Sequence, residues 1–128
     1  MPKVSIYPNP ANKPHGYSPA VRVGNFVYVS GQLALGSKDE IVGGSDCGAQ
    51  ARQCFNNMEA VLGIVPGASM AKVVKITAFL TSADNYTAYA KAREDAFPQN
   101  APASSTVIVN ALVLKGCLVE VEAVAVID

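Results

Sequence analysis

Short apolar runs set off by turn residues mark the first quarter of the chain. Ala20 to Val23 and Phe26 to Ser30 are such runs, rich in β-branched and aromatic side chains, and they predict two strands. Gly24-Asn25 between them suits a tight hairpin turn, and Gly31 ends the second strand. Residues 1–18 are punctuated by Pro2, Pro8, Pro10 and Pro14 and read as an extended lead-in. Leu33, Leu35, Ile41 and Val42 flank a Gly36-Ser37-Lys38-Asp39 turn and suggest a further short hairpin. From Cys47 to about Val65 the period changes. Ala51, Cys54, Phe55, Met58, Val61, Leu62 and Val65 recur at helical spacing. The Gly43-Gly44-Ser45-Asp46 loop before them can supply a cap, and Pro66-Gly67 stops the helix.

Val73 to Leu80 is apolar in both alternation phases and predicts a largely buried strand. Asp84 is placed to cap a second helix through Tyr86, Tyr89, Ala90, Arg93 and Phe97, closed by Pro98. Ser105 to Val109 predicts a strand, and Leu118 to Ile127 a last, long one. The order predicts an α+β fold in a single domain spanning 1–128. One mainly antiparallel or mixed sheet would carry both helices on one face. The strands at 73–80 and 118–127 ask for cover on both faces, and one chain has no third layer to give. Self-association through the bare face answers that need.

Composition narrows the classes. The chain has 128 residues, of which 50% are hydrophobic and 16% charged, and its 10 basic side chains balance 10 acidic ones. A chain of this size buries about two-thirds of its unfolded surface and folds without staples. Balanced charge argues against nucleic acid as a partner, because phosphate neutralisation needs a basic excess. The most apolar segment, Cys117 to Ile127, is interrupted by Glu120 and Glu122, so no membrane span is expected. Cys47, Cys54 and Cys117 are an odd number without CxxC spacing, which points to free thiols and a cytoplasmic setting. One histidine and no paired ligand motif give no reason to expect a metal or other cofactor.

Several polar features could carry chemistry. Tyr17, in Gly16-Tyr17-Ser18-Pro19, either presents its hydroxyl to a cleft or packs at the core edge. Gly31, in Ser30-Gly31-Gln32, either admits a ligand to backbone N–H groups or only terminates a strand. Glu120 and Glu122, two residues apart on one strand, share a face. Buried, they would raise at least one carboxyl pKa toward acid/base use; at a sheet edge they would merely be solvated or paired. Ser104, Ser105 and Thr106 add hydroxyls at a strand start. His15 reads as a surface residue, and Cys117 as either an activated thiol or a small hydrophobe.

The ordered set of segments resembles the RidA/YjgF family of reactive-intermediate deaminases. The resemblance runs along nearly the whole chain. It is carried by Gly16-Tyr17-Ser18-Pro19-Ala20-Val21 and by Val23 through Gln32 (VGNFVYVSGQ). On the first predicted helix it is carried by Gln50-Ala51-Arg52-Gln53 and Asn56-Asn57-Met58. Val73 through Leu80, Tyr86 with Tyr89, Pro102-Ala103-Ser104-Ser105 and Val119 through Val126 complete the set. The resemblance implies a chorismate-mutase-like fold and a homotrimer with small-molecule clefts between subunits. It also implies hydrolysis of enamines and imines to ketoacids and ammonia without a cofactor. Glu120 would activate water, Tyr17 would line the cleft, and Ser30 and Gly31 would contact the substrate.

One departure matters. Deaminase members carry Arg in the Pro-Ala-Arg-Ser stretch to clamp the substrate carboxylate, and here that position is Ser104; Thr106 stands where many have Cys. A charge-assisted hydrogen bond contributes about 1.5–3 kcal/mol, so its loss costs on the order of tenfold to a hundredfold in carboxylate binding. Arg22, Arg52 or Arg93 would have to reach in instead, or the ligand would be neutral or differently oriented. The leading reading is acid/base chemistry on a small imine- or enamine-type metabolite, by hydrolysis, tautomerisation or cyclisation, using Glu120, Tyr17, Ser30, Gly31, Ser104 and Thr106. The alternative is a trimer that binds a metabolite or partner without turnover. A ribonuclease or translation inhibitor, the family's older labels, is opposed by the balanced charge.

Overall fold

The hairpin at Gly24-Asn25 forms as its residues dictate. In the computed structural model, which describes residues 1–128, strands β2 (Ala20–Val23) and β3 (Phe26–Gln32) pair antiparallel across it. Gly24 takes φ +56°, the left-handed turn conformation that glycine adopts without strain. A further strand, β1 (Lys3–Ile6), lies within the predicted lead-in and pairs antiparallel with β2. Its four residues are largely exposed, so they carry no alternation to read from the sequence.

Helix α1 (Cys47–Gly63) follows, with Asp46 accepting from the Ala49 amide at 3.1 Å as its N-cap. Strand β4 (Val73–Leu80) has the predicted bounds. Helix α2 (Tyr86–Ala96) is not capped by Asp84. The Ser82 hydroxyl accepts from the Asp84 amide at 3.1 Å, and a 3-10 turn at Ala83–Asn85 leads into the helix. Strands β5 (Ala103–Ile108) and β6 (Val119–Val126) complete the chain. The segment after β3 makes one bridge, Leu35 to Ile41, in place of a full hairpin.

The six strands form one mixed sheet in the order β1-β2-β3-β6-β4-β5. Only β4 and β5 are parallel, as their connection through α2 requires. Both helices cover one face. There Val119, Val121, Ala123 and Ala125 of β6 and Ile76, Ala78 and Leu80 of β4 are buried with Cys54, Phe55, Met58 and Leu62 of α1. Phe55 packs edge-on against Phe97, with ring centroids 5.6 Å apart. Among amide and charged side chains, Gln50 alone is fully buried. Its amide donates to the Gly44 and Gly116 carbonyls at 2.7 and 2.9 Å, and its oxygen accepts from the Leu118 amide at 2.8 Å. That bond set ties the start of α1 to the start of β6. No helix is long and apolar enough to cross a membrane.

The opposite face has no cover within the chain. Phe26 and Tyr28, each 47% exposed, stack there with centroids 6.3 Å apart. Register places them beside Val126 and Val124.

Candidate active site

The candidate residues fall into two groups, one around the end of β3 and one at the β5 edge. Glu120 and Glu122 alternate with Val119, Val121 and Ala123, which are buried under the helices. Both carboxylates therefore project from the open face. Ser104 and Thr106 stand opposite Ile76 and Ala78 in register and so point to the helix side, at the β5 edge.

The first group surrounds the end of β3. An open cleft of about 540 Å³ is lined by Tyr17, Ser30, Gly31 and Gln32, with Gln53 and Asn57 of α1 on the far wall. Ser30 shapes it. Its hydroxyl donates to the Ser18 carbonyl at 2.6 Å and its amide to the Pro19 carbonyl at 2.9 Å, pinning the 16–19 segment to β3. Tyr17 next to that anchor is 61% exposed, and its hydroxyl makes no hydrogen bond. Gly31 joins the cleft to Glu120: a Cβ at residue 31 would stand 2.7 Å from the Glu120 carboxyl carbon. A side chain at residue 31 would push the carboxyl aside.

Glu120 is half-buried and takes part in no hydrogen bond or ion pair within the chain. Burial raises its pKa above the usual glutamate range, and the charge of Glu122 adds to the rise. Cys117 is buried and its thiol is pushed up, first by burial and then by Glu120, which leaves it a small core residue and not an activated thiolate. Cys47 and Cys54 are likewise buried free thiols. His15 is exposed.

Gln53 and Asn57, which the sequence marks only as carriers of the resemblance and not as site candidates, also line the cleft. Gln53 donates to the Asn57 side chain at 2.9 Å, and Asn57 donates to the Leu33 and Leu35 carbonyls at 3.1 and 2.9 Å. They hold the loop after β3 against α1. Their i,i+4 spacing on a polar helix face was the available signal.

The second group centres on α2. Arg93 donates to the Ser104 hydroxyl at 3.3 Å and to the Tyr86 hydroxyl at 3.1 Å, and its guanidinium lies 5.6 and 5.3 Å from the Tyr86 and Tyr89 ring centroids. The bond to Tyr86 is the main reason its pKa rises. The Tyr89 hydroxyl is buried near Arg93, Ser104 and Thr106 but has no hydrogen-bond partner in good geometry. Burial raises its pKa, and those neighbours partly offset the rise. Of the three arginines that could reach position 104, Arg93 does so. Arg22 instead donates to the Gly24 and Pro66 carbonyls at 3.0 and 3.4 Å.

Fold and site define an α+β protein whose sheet carries a partnerless carboxylate behind a glycine that lines a cleft. The family model described as Endoribonuclease L-PSP matches residues 9–127, and the chain belongs to this family, the RidA/YjgF family. It is 37% identical over 128 residues to a 2-iminobutanoate/2-iminopropanoate deaminase of Dermatophagoides farinae, covering 99% of this chain and 98% of that one. It is 33% identical over 126 residues to the 3-aminoacrylate deaminase RutC of Acinetobacter baylyi, covering 98% of each. The crystal structure of a YjgF/YER057c/UK114-family protein of Mycobacterium tuberculosis superposes with a TM-score of 0.82 at 31% identity, covering 98% of this chain and 100% of that one.

Proposed function

We propose that the protein hydrolyses small imines and enamines to carbonyl compounds and ammonia, with Glu120 as the base that activates water. The observation that carries this reading is the state of Glu120. It is half-buried, unpaired and raised in pKa, and it stands directly behind Gly31, which lines an open cleft. The printed activities of the two deaminase relatives point the same way.

In this reading the ionised Glu120 takes a proton from water as the water oxygen bonds to the C=N carbon. The nitrogen gains a proton, supplied through the Tyr17 hydroxyl. The resulting aminol then collapses, the C–N bond breaks, and ammonia leaves as the carbonyl forms. An enamine first takes a proton on carbon to become the imine. Ser30 and Gly31 position the substrate. Ser104 and Thr106 bind it from the β5 edge, where position 104 itself brings no charge and a weak hold on a carboxylate.

The division of these residues between two faces supports a homotrimer. Copies would meet through the open face, where Phe26, Tyr28 and Val107 are exposed, and a neighbour's β5 edge would complete each Glu120 cleft. Three free thiols fit a reducing compartment such as the cytoplasm.

The test is ketoacid release from 2-aminoacrylate generated in situ. Wild type should accelerate release over buffer, and Glu120→Gln should lower the rate by about a hundredfold or more. Binding without acceleration would instead favour a non-catalytic metabolite binder.

A further inference from the structure

The cluster at the β5 edge has the composition of an anion site. Arg93 makes no ion pair with any carboxylate of the chain. Glu94, which follows it on α2, lines the same cleft but does not pair with the guanidinium. The guanidinium is held in place by the Tyr86 and Ser104 hydroxyls and lies against two aromatic rings. A guanidinium carries further N–H donors in a fixed fork, and here they are uncommitted. They open on a cleft of about 500 Å³ whose walls include Glu94, Phe97, Ala101, Pro102 and Ser104. Behind them the fully buried Tyr89 hydroxyl has no partner. Because β5 is an edge strand, nothing in the chain covers the free side of Ser104.

We propose that Arg93, presented by α2 through Ser104, is the cation of a carboxylate-binding subsite at the β5 edge, so that this chain recognises anionic substrates although position 104 is uncharged. The inference deepens the hydrolase reading and rests on it for the identity of the substrate, a small 2-imino or 2-enamino acid. The anion subsite itself is testable without turnover. Ser104 is the positioning residue: its short hydroxyl leaves room for the guanidinium and accepts a bond from it.

The probe is pyruvate, a stable small 2-oxo acid, with pyruvamide as its neutral counterpart. Affinities would be measured by NMR titration of the full-length protein. Wild type should bind pyruvate about tenfold or more tightly than pyruvamide. Arg93→Gln should reduce pyruvate affinity to the pyruvamide level, and Arg93→Lys should restore part of it. Lys91→Gln, which removes the same charge from the same helix at a residue paired with Asp95, should leave pyruvate affinity unchanged.

Equal binding of pyruvate and pyruvamide by wild type, or undiminished pyruvate affinity in Arg93→Gln, would overturn the proposal. If Arg93→Gln does not fold, the Arg93 side-chain N–H resonance of wild type serves. Pyruvate should shift it and pyruvamide should not, and a resonance that pyruvate leaves in place sinks the assignment. Failure of the hydrolase reading is separable, because it would show as absent ketoacid release with Arg93-dependent pyruvate binding intact.

Discussion

A carboxylate can act as a base only when ionised, so in the proposed hydrolysis the raised pKa of Glu120 should set the acid limb of activity. As pH falls through that raised value, Glu120 takes up a proton and the rate should drop, above the range where an ordinary glutamate titrates. Since Glu122 contributes to the rise, Glu122→Gln should move the acid limb of kcat to lower pH while leaving its shape intact; a pH–rate profile checks this. The stability linkage has the corresponding sign. With a raised folded-state pKa, Glu120 favours the native state at pH below the ordinary glutamate range, and that contribution is lost as pH rises through the raised value.

Gly31→Ala should displace the Glu120 carboxyl, since the added Cβ meets its Cδ at 2.7 Å. Turnover should fall about tenfold or more with the far-UV spectrum unchanged, by analogy with the loss expected when a catalytic group is misplaced. At this scale the shared face of Glu120 and Glu122 was legible, because a two-residue step on a strand allows nothing else. The pairing of Arg93 with Ser104 was not. It joins a helix to a strand edge, and only the docking of α2 decides which arginine arrives.

Among the elements, α1 is anchored by two local devices, the Gln50 amide and the Asp46 cap. Gln50 uses its whole amide to link the Gly44 turn, Gly116 and Leu118. Gln50→Leu would leave two carbonyls and one amide without that partner, at about 1–3 kcal/mol for a buried unsatisfied group. Urea unfolding should show a loss in the upper part of that range or beyond. Asp46→Ala should cost about 1 kcal/mol through the lost cap. The helices and the long strands were readable because their apolar periods are unambiguous, β4 to the residue. Strand β1 was not, since an exposed four-residue edge carries no period. The α2 start was misplaced by two signals in competition. Asp84 is a good cap by type, but Ser82 reaches the turn first and a 3-10 turn intervenes.

For the whole molecule, the two faces of the sheet decide the outcome. A protein that leaves Phe26 and Tyr28 exposed on an uncovered sheet face has surface to bury against copies of itself. Light scattering should return about three times the 13.3 kDa chain mass. Tyr28→Asp should shift the population toward monomer and lower turnover with it, because each cleft would lose its neighbour's β5 edge. The need for such cover was visible in strands apolar in both phases. Which residues face which side was not, because register follows from the sheet order β3-β6-β4-β5, which no local pattern encodes.

The most direct measurement is the rate of ketoacid release from in situ 2-aminoacrylate, compared for wild type, Glu120→Gln and buffer. Clear acceleration by wild type, with Glu120→Gln close to buffer, is the predicted result. Wild type indistinguishable from buffer, or Glu120→Gln as fast as wild type, would contradict the assignment of Glu120 as the water-activating base.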